Sequence, residues 1–329
     1  MIKPNFETFR YRGTDFDGNT IEKEAVERTV DERTRQYAPS ADGQELAVFT
    51  TVPQNLKHQE IVVRATAFSD DNGRSDGAYF DAYLAEATGR MVMAVNTPGV
   101  DYYAETEAAK RLGQLTPDQA EELRMIGSFS KVGAASMRAL KAASLLNGTE
   151  NNPYIITGSS MGIGVSGGML SEAFDSNSKI AGVVWEEPVN HVRRPFLRLG
   201  AQFLGANGTA GGYVAMNPSP IDKAEPGLQF MNRVRDGRKA NLRYAMALAA
   251  GTLLGDLGPI DALADMKIPF DLGRGSASSL SGGEQAFADL VAHLKPNDSL
   301  VARVHEGHDH PYTMTVQSVI DGVDNVTSA

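Results

Sequence analysis

The sequence predicts an α/β protein: a mostly parallel central sheet, helices on both of its faces, and a helical insertion late in the chain. Three observations predict it. Short continuous apolar runs at Met91–Val95, Tyr154–Thr157 and Lys179–Pro188 read as strands, the first and last in the pattern of strands buried on both faces. Helix-compatible stretches separate the strands, an alternation that belongs to a parallel sheet with helical crossovers. From Val189 to Leu254 no strand pattern is visible; Phe196, Leu197, Leu199, Phe203 and Leu204 open a helical pattern there and residues 242–254 close one.

Taken in order, residues 1–45 are polar and charge-dense, with turn signals at Thr14–Gly18 and Ala38–Gly43 and an edge strand expected around Phe6–Tyr11. Glu45–Val52 and Glu60–Ala67 read as strands, and a turn-rich loop at 68–77 leads to a helix over Ala78–Ala87. Met91–Val95 ends in a sharp turn, Asn96 to Asp101. Residues 104–126 are acidic and helix-compatible, with Thr116-Pro117-Asp118-Gln119 as a helix start. The small residues of Ser130–Leu146, with Val132, Ala135, Ala139 and Ala143 along one side, suit a helix lying close against a sheet. After the insertion, strands are expected at Ile268–Leu272 and Leu300–Val304, and helices at Glu284–Leu294 and Pro311–Val323.

Composition narrows the function. The 329 residues carry a formal net charge of −10, and the Lys and Arg residues are dispersed. No electrostatic footprint for nucleic acid follows, and an anionic membrane surface is equally unsuited. The first residues lack the apolar stretch of a signal peptide, and no apolar run of membrane-spanning length occurs, so a cytoplasmic protein is expected. The absence of cysteine excludes disulfides, thiolate metal sites and a cysteine nucleophile.

Tyr154–Gly168 carries the chemistry, and two chemistries fit it. Gly158-Ser159-Ser160-Met161-Gly162 matches G-x-S-x-G, in which a tight strand-to-helix turn lifts a serine hydroxyl above the sheet. Thr157, Gly158, Gly162, Ile163 and Gly164 also resemble the T-G-x-x-x-G-I-G fingerprint of short-chain dehydrogenases, and Gly162, Gly164 and Gly167 fit G-x-G-x-x-G, which would seat a dinucleotide pyrophosphate on a helix N-terminus. Glu186 or Glu187, about 20 residues past Gly167, stands where an acid would hold a ribose hydroxyl. Against the NAD(P) reading, the fingerprint normally opens that fold, yet here about 150 residues precede it. Tyr213, Tyr244 and Tyr312 also lack a lysine four residues later.

The arrangement resembles the α/β-hydrolase family from about residue 45 to 325. The resemblance is carried by the elbow at Gly158–Gly162, the strand-end turn Asn96-Thr97-Pro98-Gly99, the helical insertion after Pro188 and Gly307-His308 beyond the last strand. It implies a core of residues 1–188 and 256–329 and a helical cap of 189–255. Ser160 would be the nucleophile and His308 its base, with His310 in reserve and His305 a neighbour. The loop 273–279, where many members place an aspartate, offers serine instead. Some members take the acid from the end of the strand after the nucleophile, which implies Glu186, with Glu187 in reserve and Asp271 as a third candidate. The oxyanion hole would combine backbone N–H groups of Met161 and of Phe68 or Ser69.

The resulting expectation is a serine hydrolase, carboxylesterase-like, cleaving an ester or related carbonyl substrate through an acyl-enzyme, with no cofactor and no metal. The cluster from His305 to His310 holds metal-ligating types but lacks a second, distant pair at metal spacing. Phe196, Phe203, Tyr213 and Phe230 in the insertion suit a small apolar acyl substrate. Perhydrolase or carbon–carbon hydrolase chemistry on the same turn, the NAD(P)-dependent oxidoreductase and a non-catalytic binding module remain as alternatives.

Overall fold

The computed structural model describes residues 7–14, 20–27, 33–41, 43–68, 72, 75–102, 104–144, 148, 152–208, 238–253, 265, 267–294, 298–308, 310 and 316–328, the first two segments by backbone alone. Strands β1 (Glu7–Thr14) and β2 (Thr20–Glu27) form an antiparallel two-stranded ribbon of their own, so the expected early strand is not an edge of the main sheet. The main sheet has eight strands: β3 (Arg33–Ala41), β4 (Gln44–Thr51), β5 (Ile61–Ala65), β6 (Met91–Val95), β7 (Tyr154–Ser159), β8 (Ile180–Glu186), β9 (Phe270–Gly275) and β10 (Leu300–His305). Their order is β10-β9-β8-β7-β5-β6-β4-β3. Pairing is parallel from β10 to β6 and antiparallel only where β4 meets β6 and β3.

Burial follows from that topology. Every residue of β5 and β9 is buried, as strands covered on both faces require. On one face α4 (Ser130–Ala143) and α5 (Met161–Asp175) cover a core including Val63, Ile156, Val183, Trp185 and Phe270. On the other, α1 (Ser75–Thr88) and the C-terminal helix pack on Val62, Val92, Ile155 and Val184. Two helices fill the intervening helix-compatible stretch, α2 (Glu107–Leu112) and α3 (Pro117–Met125), the second starting where the sequence signals it. Thr106 caps the first, and Thr116 with Gln119 forms a capping box on the second, with Pro117 in its first turn.

After β8 come α6 (Phe196–Gly208) and α7 (Arg238–Ala250), then α8 (Gly283–Leu294) between β9 and β10, and α9 (Val316–Ser328) at the end. Tyr244 of α7 donates to Pro98 O at 2.7 Å, and Asn241 to the Tyr102 hydroxyl at 2.9 Å, so α7 is fastened to the turn after β6. Tyr213, Phe230 and the far boundary expected for the insertion at residue 255 lie outside the described residues, as do Ser69, Asp309 and Tyr312. Among the described residues no helix is long and apolar enough to cross a membrane.

The chain reverses its winding direction around β5, since β6 pairs on one side of it and β7 on the other. The turn after β7 therefore sits at the point where open α/β sheets leave a crevice. Its helix α5 crosses α4 at backbone contact: a Cβ on Gly168 would stand 2.5 Å from Ser130 O and 2.9 Å from Gly133 Cα. Gly167 beside it has nothing within 4 Å of such a Cβ. Gly168→Ala is expected to destabilise the protein by about 1–3 kcal/mol through overpacking. Gly167→Ala should stabilise it by about 0.5–1 kcal/mol through helix propensity. Urea unfolding of the two variants checks the opposite signs.

Candidate functional site

Ser160 occupies the turn between β7 and α5 with φ 54° and ψ −118°, a left-handed backbone that a serine adopts at a cost of about 1–2 kcal/mol. The flanking glycines make the turn sterically possible. A Cβ on Gly158 would lie 2.7 Å from Gly162 O and 2.9 Å from Ser166 Oγ, and one on Gly162 would lie 2.5 Å from Ala65 O. The Ser160 N–H donates to Glu186 O at 2.9 Å, fixing the turn to the end of β8.

The Ser160 hydroxyl meets His310: Nε2 lies 3.0 Å from Oγ. On the other side of the ring, Nδ1 lies 2.9 Å from Glu187 Oε2. A carboxylate only accepts, so Nδ1 carries the proton and the neutral ring presents Nε2 as acceptor to the serine O–H. Glu187 is fully buried and receives two further donors, Ser278 Oγ at 2.7 Å on Oε2 and the Gly275 N–H on Oε1. Its own backbone is left-handed, with φ 60°, which ends β8 and frees the side chain from strand alternation.

The site's other groups come from neighbouring strand ends. Met161 is the first residue of α5, so its N–H is among those with no acceptor inside the helix. Phe68 lies three residues past β5 and stacks on Phe203 of α6, ring centroids 5.4 Å apart; Phe203 in turn meets the His310 ring edge-on at 6.4 Å. A hydrogen bond of 2.7 Å between Thr66 and Thr97, and one of 2.8 Å from Asn72 N to Asn96 Oδ1, join the ends of β5 and β6 beside the elbow.

The sequence matches no protein-family model and no curated protein. Solved structures do resemble it. A serine hydrolase from a Cycloclasticus bacterium that degrades polyaromatic hydrocarbons superposes with a TM-score of 0.56 at 9% identity, over 89% of this chain and 97% of that one. Potato epoxide hydrolase I gives 0.57 at 12%, over 90% and 99%. The 2-hydroxy-6-oxo-6-phenylhexa-2,4-dienoate hydrolase of a Rhodococcus strain gives 0.54 at 14%, over 91% and 99%. The chain has the α/β-hydrolase fold.

Within this α/β-hydrolase fold the structure gathers Ser160, His310 and Glu187, and separates from them the two residues placed first by sequence. The assignment of His308 as the partner of Ser160 is corrected. Gly307, at φ 74°, closes a turn in which His308 N donates to His305 O at 3.3 Å, and Ala277 N donates to His308 O at 2.9 Å. His308 is thereby folded back onto His305, their rings stacked 5.8 Å apart, and His310 two residues on reaches the serine. Burial and the neighbouring His305 lower the His308 pKa to about 4.

Glu186 and Asp271 are likewise corrected as partners of the histidine. Strand alternation places Glu186 on the α9 side, where Oε1 lies 2.5 Å from Arg303 Nη2. Asp271 accepts from the same guanidinium at 2.9 and 3.0 Å through Nε and from Asn325 at 2.8 Å. Arg303 and Ser278 were not singled out by sequence. Ser278 comes from the loop 273–279, and here that loop donates to Glu187. The dinucleotide reading meets an obstacle at two of its three glycines. The space beside Gly162 is filled by Ala65 and Thr66, and that beside Gly164 by Asn190 and Phe129.

Burial drives the Glu186 pKa up from its ordinary value to about 7, against the opposing pull of His305 and Arg303. Between about pH 4.5 and 7 the folded protein therefore holds a proton on Glu186 that the unfolded chain has released. The stability this group contributes is present at pH 4.5 and is lost as pH rises through 7, by on the order of 3 kcal/mol. Wild type should lose stability relative to Glu186→Gln over that interval, measured by urea unfolding at a series of pH values.

Proposed function

We propose that the protein is a serine hydrolase that cleaves an ester or a related carbonyl substrate through an acyl-enzyme on Ser160. The observation that carries the reading is the unbroken chain from Ser160 Oγ through both nitrogens of His310 to Glu187, at 3.0 and 2.9 Å. The resemblance of the fold to solved hydrolases, one of them titled a serine hydrolase, supports it.

In this reading Ser160 Oγ attacks the carbonyl carbon while its proton passes to His310 Nε2. Glu187 holds the ring in the tautomer that can accept it and stabilises the imidazolium that forms. The Met161 N–H at the start of α5, paired with that of Phe68, would receive the developing oxyanion. His310 then returns the proton to the leaving alkoxide, leaving the acyl group on Ser160. Water activated by the same histidine adds to the acyl carbon and releases the acid. The aromatic wall of Phe68 and Phe203 favours an apolar acyl group beside the nucleophile, and α6 with α7 would act as the cap that shields it.

Turnover of short acyl nitrophenyl esters and labelling by a fluorophosphonate test the assignment. Ser160→Ala should abolish labelling, Ser160→Ala and His310→Ala should each lower kcat by about 10⁴-fold or more, and Glu187→Gln by about 10³- to 10⁴-fold. His308→Ala should leave the rate at the wild-type level. Equal labelling of wild type and Ser160→Ala, or loss of activity in His308→Ala with His310→Ala active, would overturn it.

A further inference from the structure

We propose that Glu186 is a positioning residue for this reaction: through Arg303 it holds the strand end bearing Glu187 in register with β10 and so with the loop bearing His310. The inference rests on the Ser160–His310–Glu187 reading.

The geometry is that of a built cluster beneath the site. Arg303 of β10 bridges Asp271 of β9 and Glu186 of β8, with Nη2 at 2.5 Å from each, and donates to Ser318 O of α9 at 3.2 Å. His305 Nε2 stands 3.5 Å from Glu186 Oε2, near it but without a hydrogen bond. Two glycines leave room for these side chains. A Cβ on Gly273 would collide with the Glu186 carboxyl group, and one on Gly322 would collide with Val184 Cγ1 and lie 3.1 Å from Arg303 Nη2 and 3.2 Å from Asp271 Oδ1.

Burying the Arg303–Asp271 pair costs several kcal/mol in desolvation per ion, and well-packed apolar side chains would often serve stability as well or better. The main chain shows what the cluster secures. Glu186 O accepts the Ser160 N–H at 2.9 Å, and Glu187 N donates to Gly273 O at 2.9 Å. His305 O accepts from Ser276 at 3.0 Å and from His308 at 3.3 Å, which sets the loop that ends in His310. Glu186 and His305 thus fix by their own backbones the nucleophile and the start of the base's loop, and Gly273, packed on the Glu186 side chain, holds the N–H of the acid. The two adjacent glutamates each face a histidine, Glu187 facing His310 of that loop in the site and Glu186 facing His305 at the end of β10 behind it.

The titratable and charged groups set against Glu186 are Arg303 and His305 from β10 and Asp271 from β9, with Asp321 of α9 acting on Arg303. The test compares wild type with Glu186→Gln, Arg303→Met and Arg303→Lys in the full-length protein. It reads kcat and KM per labelled Ser160, the His310 ring titration by NMR, and thermal unfolding. Glu186→Gln and Arg303→Met should lower kcat about ten- to a hundredfold with KM unchanged and shift the His310 titration midpoint, and Arg303→Lys should recover part of the rate. A lowered melting temperature with kcat and the His310 titration unchanged would show the cluster to be structural only and overturn the inference. Failure of wild type to label at Ser160 would overturn the hydrolase reading instead. The His310 titration alone would then decide the inference, an unchanged midpoint in Glu186→Gln and Arg303→Lys counting against it.

Discussion

A carboxylate sealed from water at the end of a central strand must be met by donors, and Glu187 is met by three. The Gly275 N–H, the Ser278 hydroxyl and His310 Nδ1 all converge on it. The first two come from the end of β9 and the loop after it and the third from the segment after β10, so satisfying this one group sets both at the same time. An unmet buried carboxylate would cost far more than the left-handed backbone needed to aim it, which explains why φ 60° is tolerated at a non-glycine position.

Ser160 is fixed by the same economy of contacts. Its strained turn is held open by glycines packed against each other and against the end of β5, while its N–H is held by the neighbouring strand. Beneath them the Glu186–Arg303–Asp271 cluster ties β8, β9 and β10 together below the edge where Ser160, Glu187 and His310 emerge. Strain at two residues is thus supported by a rigid floor, an arrangement suited to holding reacting groups within hydrogen-bond distance before any substrate arrives.

Most of the sheet was legible because strands buried on both faces declare themselves as apolar runs, and β6, β7 and β8 lie where those runs fall. The elbow was legible because glycine spacing reports a steric demand. β2 and β3 were missed: charged and polar residues fill β2, and alternate positions of β3 are exposed, so neither shows an apolar run. The choice between Glu186 and Glu187 turns on a single dihedral angle that ends strand alternation, and nothing in the pair of identical side chains encodes it. The choice between His308 and His310 turns on a tight turn at Gly307 that doubles the chain back by two residues. Both are local backbone events, decided by the hydrogen bonds that tertiary packing makes available.

The hydrogen bond between His310 and Glu187 is tested most directly by proton NMR of the wild-type protein, in which an imidazole N–H donated to a buried carboxylate resonates far downfield. One such resonance is expected in wild type and in His308→Ala, and it should vanish in His310→Ala and in Glu187→Gln. A downfield resonance that survives in Glu187→Gln, or that disappears in His308→Ala, would contradict the pairing on which the site is built.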